Sequence, residues 1–507
     1  MVNILSKVET NQEPRVLLGF LKQIERVVGR TPSIRNGPRV VDLDILTYDA
    51  EILDTRDEKC RSDLNNLEGE LVVPHPRMIE REFVLRPMNE LRILLLSKRS
   101  YPESFHHACS MIPHFIHPVA NKPIEMLLKE VTSGQLEGTP LMKKVLPFPR
   151  YPITCTSPPD VPVPSPILPV PATASYWTFP ASETLPGMSP QHRIYVMATL
   201  NVTPDSFSDG SMHDSVPTAI SYAMSSAAAG ADIIDIGGCS TRPGATFVSS
   251  EEELARVIPV IKAIRNIPQE NSKDILISVD TYRQDVAKAA VLAGANCIND
   301  VYAFTGPEYP LTQGSAEHLL SMRRLARDLA VPVVLMHSRG PAGSNKDYSM
   351  YHSAAGGGQA DVLRGVQAEL GDKVDAIVKG RSGVRRWLVV VDPGIGFSKT
   401  VEDNLALLRH ASWLTGCVVG KGPNPLAGYP QLIGTSKKSF LGEILAHPNR
   451  EGSYKGRKTE PKDRGWATAA AVACAAQQGA AVVRVHDVPE MMDVVMVSSA
   501  LWRDKCG

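Results

Sequence analysis

The sequence predicts an α/β protein in which a (β/α)8 TIM barrel, residues 193–507, follows a partial α+β ferredoxin-like domain, residues 1–131, across a Pro-rich linker, residues 132–192. Three observations carry this. After residue 193, short apolar runs of strand length alternate eight times with helix-patterned stretches, the repetition a closed parallel barrel requires. Each run ends in polar or ionisable residues, which a barrel gathers on one rim. Between 146 and 190 lie thirteen prolines among few periodic apolar residues, a composition that disfavours a core or sheet interior and favours an extended spacer.

Composition excludes several function classes. The 54 Lys and Arg balance the 54 Asp and Glu, so no global field draws in nucleic acid or an anionic membrane, and an anion site has to be built locally. The eight cysteines, Cys60, Cys109, Cys155, Cys239, Cys297, Cys417, Cys474 and Cys506, contain no CxxC pair; this points to a reducing compartment and away from a zinc cluster. No uninterrupted apolar run approaches the roughly 18 residues of a membrane helix, and the first fifteen residues lack the apolar segment of a signal peptide. The expectation is a soluble protein, cytoplasmic or mitochondrial.

In the first domain, residues 12–29 place Leu17, Leu18, Leu21, Ile24, Val27 and Val28 at helical spacing. Next, Val41, Leu43 and Ile45 alternate with Asp42 and Asp44, so on a strand both carboxylates project from one face. Two such neighbours suit a hard cation such as Mg²⁺, although an exposed polar strand face explains the pattern as well. His75, Arg77 and Arg81 crowd a turn in VVPHPRMIEREFVL. Arg39, the two aspartates, His75 and Arg81 together make a set suited to nucleotide phosphates.

GPRVVDLDIL followed by VPHPRMIEREFVL resembles the C-terminal half of a hydroxymethyl-dihydropterin pyrophosphokinase. The resemblance implies that Asp42 and Asp44 bind Mg²⁺, that Arg39, His75 and Arg81 contact ATP phosphates or the transferred group, and that Asn3 and Glu25 lie at the substrate and nucleotide sites. The chain departs from the family where Asn36 replaces an aromatic residue, where 92–109 interrupt the terminal pattern, and where a strand and glycine loop would precede Asn3. A sheet without its first strand has an open edge and an incomplete core, so the expectation is little kinase activity, with ATP a cofactor only if this domain is active. A longer natural chain carrying both activities is the alternative.

The barrel strands are expected at 193–200, 231–238, 275–280, 295–300, 331–337, 387–392, 431–438 and 480–487. Their ends deliver Asn201, Thr241 with Arg242, Asp280, Asn299, His337, Asp392, Ser436 with Lys438, and Arg484 with His486. Ser436 and Lys438 are two apart, as are Arg484 and His486, so on strands each pair aims at one spot as an anion clamp. Asp280, Asn299 and Asp392 supply acceptors and one amide donor for a flat heterocycle with several N–H groups. The first strand end, TLNVTPDSFSDG at 199–210, reads either as a metal and anion loop or as a turn-rich connection.

TLNVTPDSFSDG, DIGGCSTRPGA, ISVDT, CINDV, VVDPGIGFSK, GTSKKSFLG and VVRVHDV resemble, in that order, the motifs of dihydropteroate synthase. The resemblance implies condensation of 4-aminobenzoate with a dihydropterin pyrophosphate in folate biosynthesis. Asp280, Asn299, Asp392 and Lys438 would hold the pterin, Phe397 would be a further substrate-binding residue, and Asn201 would bind the Mg²⁺ of the pyrophosphate. Arg484 and His486 would bind the pyrophosphate, with Thr241 and Arg242 closing over it. Phe207, Pro243 and Ser436 would shape the aminobenzoate pocket, and Asp209, Lys438, Arg484 and His486 would stand at the reacting centre. Cys239 stands where Glu is usual and Lys437 where Arg is usual, while 416–430 and 449–463 look like surface insertions. A homodimer through the barrel is a further expectation. The rival readings are another pterin-binding barrel, such as a methyltetrahydrofolate-using methyltransferase, and a catalytically silent scaffold.

Overall fold

The computed structural model describes residues 3–6, 8, 10–28, 30, 41–61, 70–95, 116–133, 142–149, 175–180, 193–202, 216–240, 247–267, 275–352, 359–379, 383–416, 418–419, 422–448 and 451–502. It divides into two units, Met1–Met142 and Lys143–Gly507.

In the first unit, helix α1 (Pro14–Val27) begins with proline at its first turn, where the missing N–H has no helical partner to lose. Strands β1 (Leu53–Asp54) and β2 (Val72–Val73) pair antiparallel, and α2 (Glu82–Leu95) and α3 (Ile124–Ser133) follow. Met78, Val84, Leu85, Ile124, Leu127 and Leu128 form one small core; Ile45, Leu71 and Val73 form another against Leu17, Leu18 and Leu21 of α1. The rest of the α1 apolar face is not covered: Val16, Phe20, Ile24 and Val27 are exposed. Residues 41–45 keep the expected alternation, with Asp42 and Asp44 exposed and Ile45 buried, but they form no strand. A strand needs a ladder partner, and the segment is held instead by Glu25, which accepts the Leu43 N–H at 2.7 Å.

The second unit opens with a correction to the linker. Strands β3 (Lys143–Phe148) and β4 (Ser175–Pro180) pair antiparallel, with Pro147 opposite Tyr176. Both strands are edges, the one setting in which a sheet tolerates proline. Leu146, Phe148, Trp177 and Phe179 pack on Tyr195, Met197, Ile233, Leu276, Cys297 and Val482 at the amino ends of the barrel strands. Trp177 stacks on Tyr195 at 4.3 Å between ring centroids, and the Tyr195 hydroxyl accepts the Thr178 N–H at 2.8 Å. The hairpin therefore plugs the barrel floor, and the chain earlier read as spacer supplies part of the core.

The barrel proper runs β5 (Tyr195–Asn201), α4 (Val216–Ala228), β6 (Ile233–Gly237), α5 (Ser250–Arg265), β7 (Leu276–Asp280), α6 (Gln284–Ala293), β8 (Cys297–Asp300), α7 (Gln313–Leu329), β9 (Val333–Met336), α8 (Gln359–Val378) and β10 (Val389–Asp392). It continues with α9 (Val401–Arg409), α10 (Ala411–Thr415), a side hairpin of β11 (Val418–Val419) and β12 (Gly422–Pro423), β13 (Leu432–Ile433), α11 (Ser439–Ala446), α12 (Gly465–Gln477), β14 (Val482–Val485) and α13 (Val488–Leu501). Helix starts follow local chemistry: Ser249 caps α5 ahead of three glutamates, and Thr312 and Thr400 open capping boxes on α7 and α9.

The sheet order is β10-β9-β8-β7-β6-β5-β14-β13, all parallel, and one bridge between Val391 and Gln431 closes the ring. Two expectations change. The seventh strand is two residues long rather than eight, and Lys437, at φ 59°, turns the chain just ahead of α11. Finally, 424–430 is not a surface insertion: Asn424, Leu426, Ala427 and Tyr429 are buried, and the Asn424 amide donates to the Leu414 and Gly416 carbonyls, each at 2.8 Å.

Candidate active site

Asn201 of β5, Gly237 of β6, Asp280 of β7 and Asn299 of β8 are successive register partners, so they form one row at the carboxyl ends of four adjacent strands. A Cβ on Gly237 would lie 3.6 Å from Asp280 Oδ2 and 3.7 Å from Asn201 Oδ1, so a buried glycine separates these two side-chain oxygens. Two residues below Gly237, Asp235 is fully buried. Arg484, on β14, reaches over to both carboxylates. Its Nε donates to Asp235 Oδ2 and its Nη2 to Asp280 Oδ2, each at 2.7 Å. Asn299 Nδ2 donates to the same Asp235 oxygen at 2.9 Å.

Within each expected clamp the two side chains take different partners. The Arg484 guanidinium is held by carboxylates, whereas His486 Nδ1 lies 2.9 Å from Ser436 Oγ, which also accepts the His486 N–H at 3.2 Å. Neither Ser436 nor Lys438 is on a strand. Lys438 Nζ donates to the Ile395 carbonyl at 2.5 Å and stands 4.4 Å from the Phe397 ring centroid, a cation–π contact. Lys437 keeps its charge in use by donating to Asp487 at 2.7 Å.

Electrostatics at the mouth are set by burial. Desolvation pushes Asp280 up to about 7, with Asp235 adding to the rise and Arg484 opposing it. Burial works against the Arg484 charge too, but Asp235 and Asp280 outweigh it and raise its pKa. Burial also raises Asp392, against the pull of the Gly394 N–H, Lys438, Lys399 and Arg484. Lys438 is lowered to about 8 by burial and by Arg484, against Asp392 and Asp280. The mouth thus holds an acid, Asp280, and a base, Lys438, that titrate close to neutrality.

Asp235 escaped the sequence reading. Its only signal is a carboxylate inside the otherwise apolar run IIDIG, and a buried charge there demands a partner. His337 was foreseen as a strand end but without its partners Glu369 and Lys399, which are contributed by α8 and by the loop after β10. Thr241, Arg242, Pro243, Phe207, Asp209 and Arg39 lie outside the described residues. Among the described residues no group of three metal-type side chains occurs. A Mg²⁺ at Asn201 would take its amide oxygen and fill the remaining shell from anion oxygens and water, a pattern this ion favours.

In the first unit, Asn3 is exposed, and Asp42 accepts from Arg30 at 3.0 Å. Glu25, which is buried, accepts from Lys22 at 2.9 Å, from Leu43 and from Arg30. These contacts hold its carboxyl below the usual range against the effect of burial. His75 is lowered by burial, then by Arg81 and Arg77, against Asp44. His75, Asp44 and Arg81 therefore share one electrostatic neighbourhood, while Glu25 is engaged in holding the 41–45 segment to α1.

Comparison with known proteins agrees with this division. A family described as pterin binding enzyme matches residues 197–486, and one described as 7,8-dihydro-6-hydroxymethylpterin-pyrophosphokinase matches residues 1–93. The chain is 33% identical to the folic acid synthesis protein fol1 of Pneumocystis carinii over 504 residues, covering 99% of this chain and 53% of that one. It is 35% identical to the mitochondrial folate synthesis bifunctional protein of Pisum sativum, over 99% of this chain and 80% of that one. It thus spans about half the length of the fungal relative. Among solved structures, a Xanthomonas albilineans dihydropteroate synthase with 4-aminobenzoic acid is 36% identical, covers 62% of this chain and 94% of its own, and superposes with a TM-score of 0.47. No described helix is long and apolar enough to cross a membrane. The chain belongs to the pterin-binding enzymes, and with the pyrophosphokinase match ahead of its barrel it is a member of the fused folate synthesis proteins found in fungi and plants.

Proposed function

We propose that the barrel is a dihydropteroate synthase, joining 4-aminobenzoate to hydroxymethyl-dihydropterin pyrophosphate to give dihydropteroate and pyrophosphate. The observation that carries this is the register row of Asn201, Asp280 and Asn299 with Arg484 reaching into it. Acceptors for an N–H-rich ring there adjoin an amide oxygen and a cation for its charged tail.

In this reading Asp280, Asn299 and Asp392 take the amino and ring N–H groups of the pterin. Lys438 donates to its oxo or ring-nitrogen edge, with Phe397 beside it. The aminobenzoate nitrogen attacks the exocyclic methylene, a C–N bond forms, and the C–O bond breaks with its electron pair leaving on pyrophosphate. The amine proton passes to water or to the loop carboxylate Asp209. A neutral arylamine needs no strong base, so the work lies in stabilising the leaving group. Arg484 and His486, with Thr241 and Arg242 closing over it, bear on that charge; Phe207, Pro243 and Ser436 shape the aminobenzoate pocket. Mg²⁺, held by Asn201, neutralises pyrophosphate charge when bound. An electron-rich pterin shares positive charge on the methylene, which favours a dissociative displacement.

The first unit is read as a pyrophosphokinase-like domain of low activity, because its described sheet is two residues long and Val16, Phe20, Ile24 and Val27 stay exposed. Its Mg²⁺ would sit at Asp42 and Asp44, with ATP phosphates near Arg39, His75 and Arg81. One two-armed assay tests both readings. Dihydropteroate should form from dihydropterin pyrophosphate, 4-aminobenzoate and Mg²⁺, and hardly at all from hydroxymethyl-dihydropterin and ATP. No product in the first arm defeats the synthase reading, and efficient product in the second defeats the low-activity reading.

A further inference from the structure

A buried chain of charged groups behind the mouth has no part in the chemistry above. His337, fully buried, carries Lys399 on one ring nitrogen and Glu369 on the other: Lys399 Nζ lies 3.1 Å from Nδ1, and Nε2 lies 3.0 Å from a Glu369 oxygen. Lysine donates, so Nδ1 accepts and the Nε2–H donates to the carboxylate. Glu369 also accepts from Arg339, at 3.0 Å to Nε, and from the Tyr351 hydroxyl at 2.8 Å. Burial and Lys399 lower His337 to about 3, against Glu369, which keeps the ring neutral.

This chain grips the loop that runs from Asp392 to Lys399 at both ends. The His337 backbone N–H donates to the Asp392 carbonyl at 2.9 Å, and the His337 side chain takes Lys399. Between these ends Gly394 has φ 71°, and a Cβ on it would come within 2.0 Å of the His337 carbonyl oxygen, so the loop lies against β9 with no room to spare. Lys399 Nζ also donates to the Phe397 carbonyl at 2.9 Å, and Ser398 Oγ accepts the Arg339 N–H at 3.2 Å. The same loop carries Asp392 and the Phe397 ring, over which Lys438 sits. No other role is visible for Lys399, a residue only 4% exposed in a core position where a charge is costly.

We propose that Lys399 and His337 are positioning residues of the pterin subsite: they set the height of Asp392 and Phe397 from behind, without touching substrate. This rests on the synthase reading of the barrel. It also gives an interior lysine a use: although burial lowers Lys399 to about 7, its nitrogen donates to two acceptors, His337 Nδ1 and the Phe397 carbonyl, that an apolar side chain would leave bare.

The test is steady-state kinetics of the full chain on dihydropterin pyrophosphate and 4-aminobenzoate, with wild type, K399M, H337N and H337A. K399M should raise KM for the pterin substrate about tenfold, the size of one lost hydrogen bond to a charged group, and leave KM for aminobenzoate within about twofold. H337N keeps an oxygen acceptor for Lys399 and should recover most of what H337A loses. The acid limb of pterin KM against pH should move upward in K399M, because Asp392 loses one of the cations facing it, leaving Lys438 and Arg484. The groups facing Lys399 itself are His337, Asp392, Glu369, Asp403 and Lys438. Equal rises in both KM values, an unmoved acid limb, or H337N no better than H337A would overturn the proposal. If K399M does not fold, the H337N and H337A pair decides by the same KM split. Absence of wild-type turnover would remove the synthase reading and this proposal together, whereas wild-type turnover with an unsplit variant removes only this one.

Discussion

Arg484 donates to Asp235 and to Asp280 through different nitrogens of one guanidinium, at 2.7 Å each. Asp280 faces the mouth and Asp235 is fully buried beneath it, so the arginine ties the rim of the barrel to its interior. Under the proposed function the rim carboxylate is the one that a ligand would displace, while the interior one anchors the cation in place.

Asp235→Ala should therefore be costly. It leaves Arg484 without its anchor and Asn299 without an acceptor, and breaking a buried pair of this kind typically costs about 3–5 kcal/mol, discounted here because the Arg484 side chain is 21% exposed. Urea unfolding should show a loss of roughly 2–3 kcal/mol, with Asp235→Asn milder because one amide oxygen still accepts. Equal midpoints for wild type and Asp235→Ala would show the anchor to be idle.

Pterin binding should have a narrow pH window. Asp280 titrates at about 7 and must be ionised to accept from the ligand, so affinity falls as pH drops through that value. Lys438 titrates at about 8 and must be protonated to donate, so affinity falls as pH rises through it. Arg484 stays charged throughout. Isothermal titration with a pterin across pH 5–10, a span of roughly two units or more beyond each value, should give a maximum between them; a flat profile would discard both assignments.

Trp177→Ala should destabilise the barrel by about 3–5 kcal/mol, the usual cost of emptying a large aromatic from a core. Its stack on Tyr195 and contact with Phe148 lie on the floor, at the opposite strand ends from the rim. KM values at a temperature where the variant is folded should match wild type. A KM change without a loss of stability would contradict the plug.

Asn201 and Phe207 should separate by substrate. Asn201→Ala should weaken inorganic pyrophosphate binding and raise the Mg²⁺ requirement, with aminobenzoate KM affected less; Phe207→Ala should do the reverse. A loss of about tenfold or more is expected for each own substrate. Unimpaired turnover by Asn201→Ala would refute the metal role.

The barrel was legible because its signal is redundant: eight apolar runs and their polar ends repeat one statement, and an error in one run does not change the sum. What was not legible depended on partners rather than on pattern. Asp42 and Asp44 alternate with apolar residues as a strand would, yet no neighbour among the described residues supplies the ladder. The eight-residue run 431–438 gave no hint that Lys437 would turn left-handed after Ile433. The prolines argued for a spacer because their cost in a sheet interior is real, but Pro147 and Pro180 lie on edge strands, which carry no such cost. At the site, the residue types at Asp280, Asn299, Asp392 and Lys438 were readable, whereas the pairing of Arg484 with carboxylates is a fact of three dimensions only.

The ring of strands is fastened at a single place, where Val391 meets Gln431. The fastening works like a clasp on a hoop. Val391 N–H donates to the Pro430 carbonyl at 3.0 Å, and the Gln431 amide is pinned to the Ala411 carbonyl at 2.7 Å and the Thr415 hydroxyl at 2.8 Å. Asp392 stands one residue past one half of the clasp, and Lys438 seven past the other. Strain arriving through the 416–430 detour would thus be felt as a change in the gap between an acid and a base that must meet the same ring. A bound pterin, by bridging that gap, should slow hydrogen exchange at the Val391 amide.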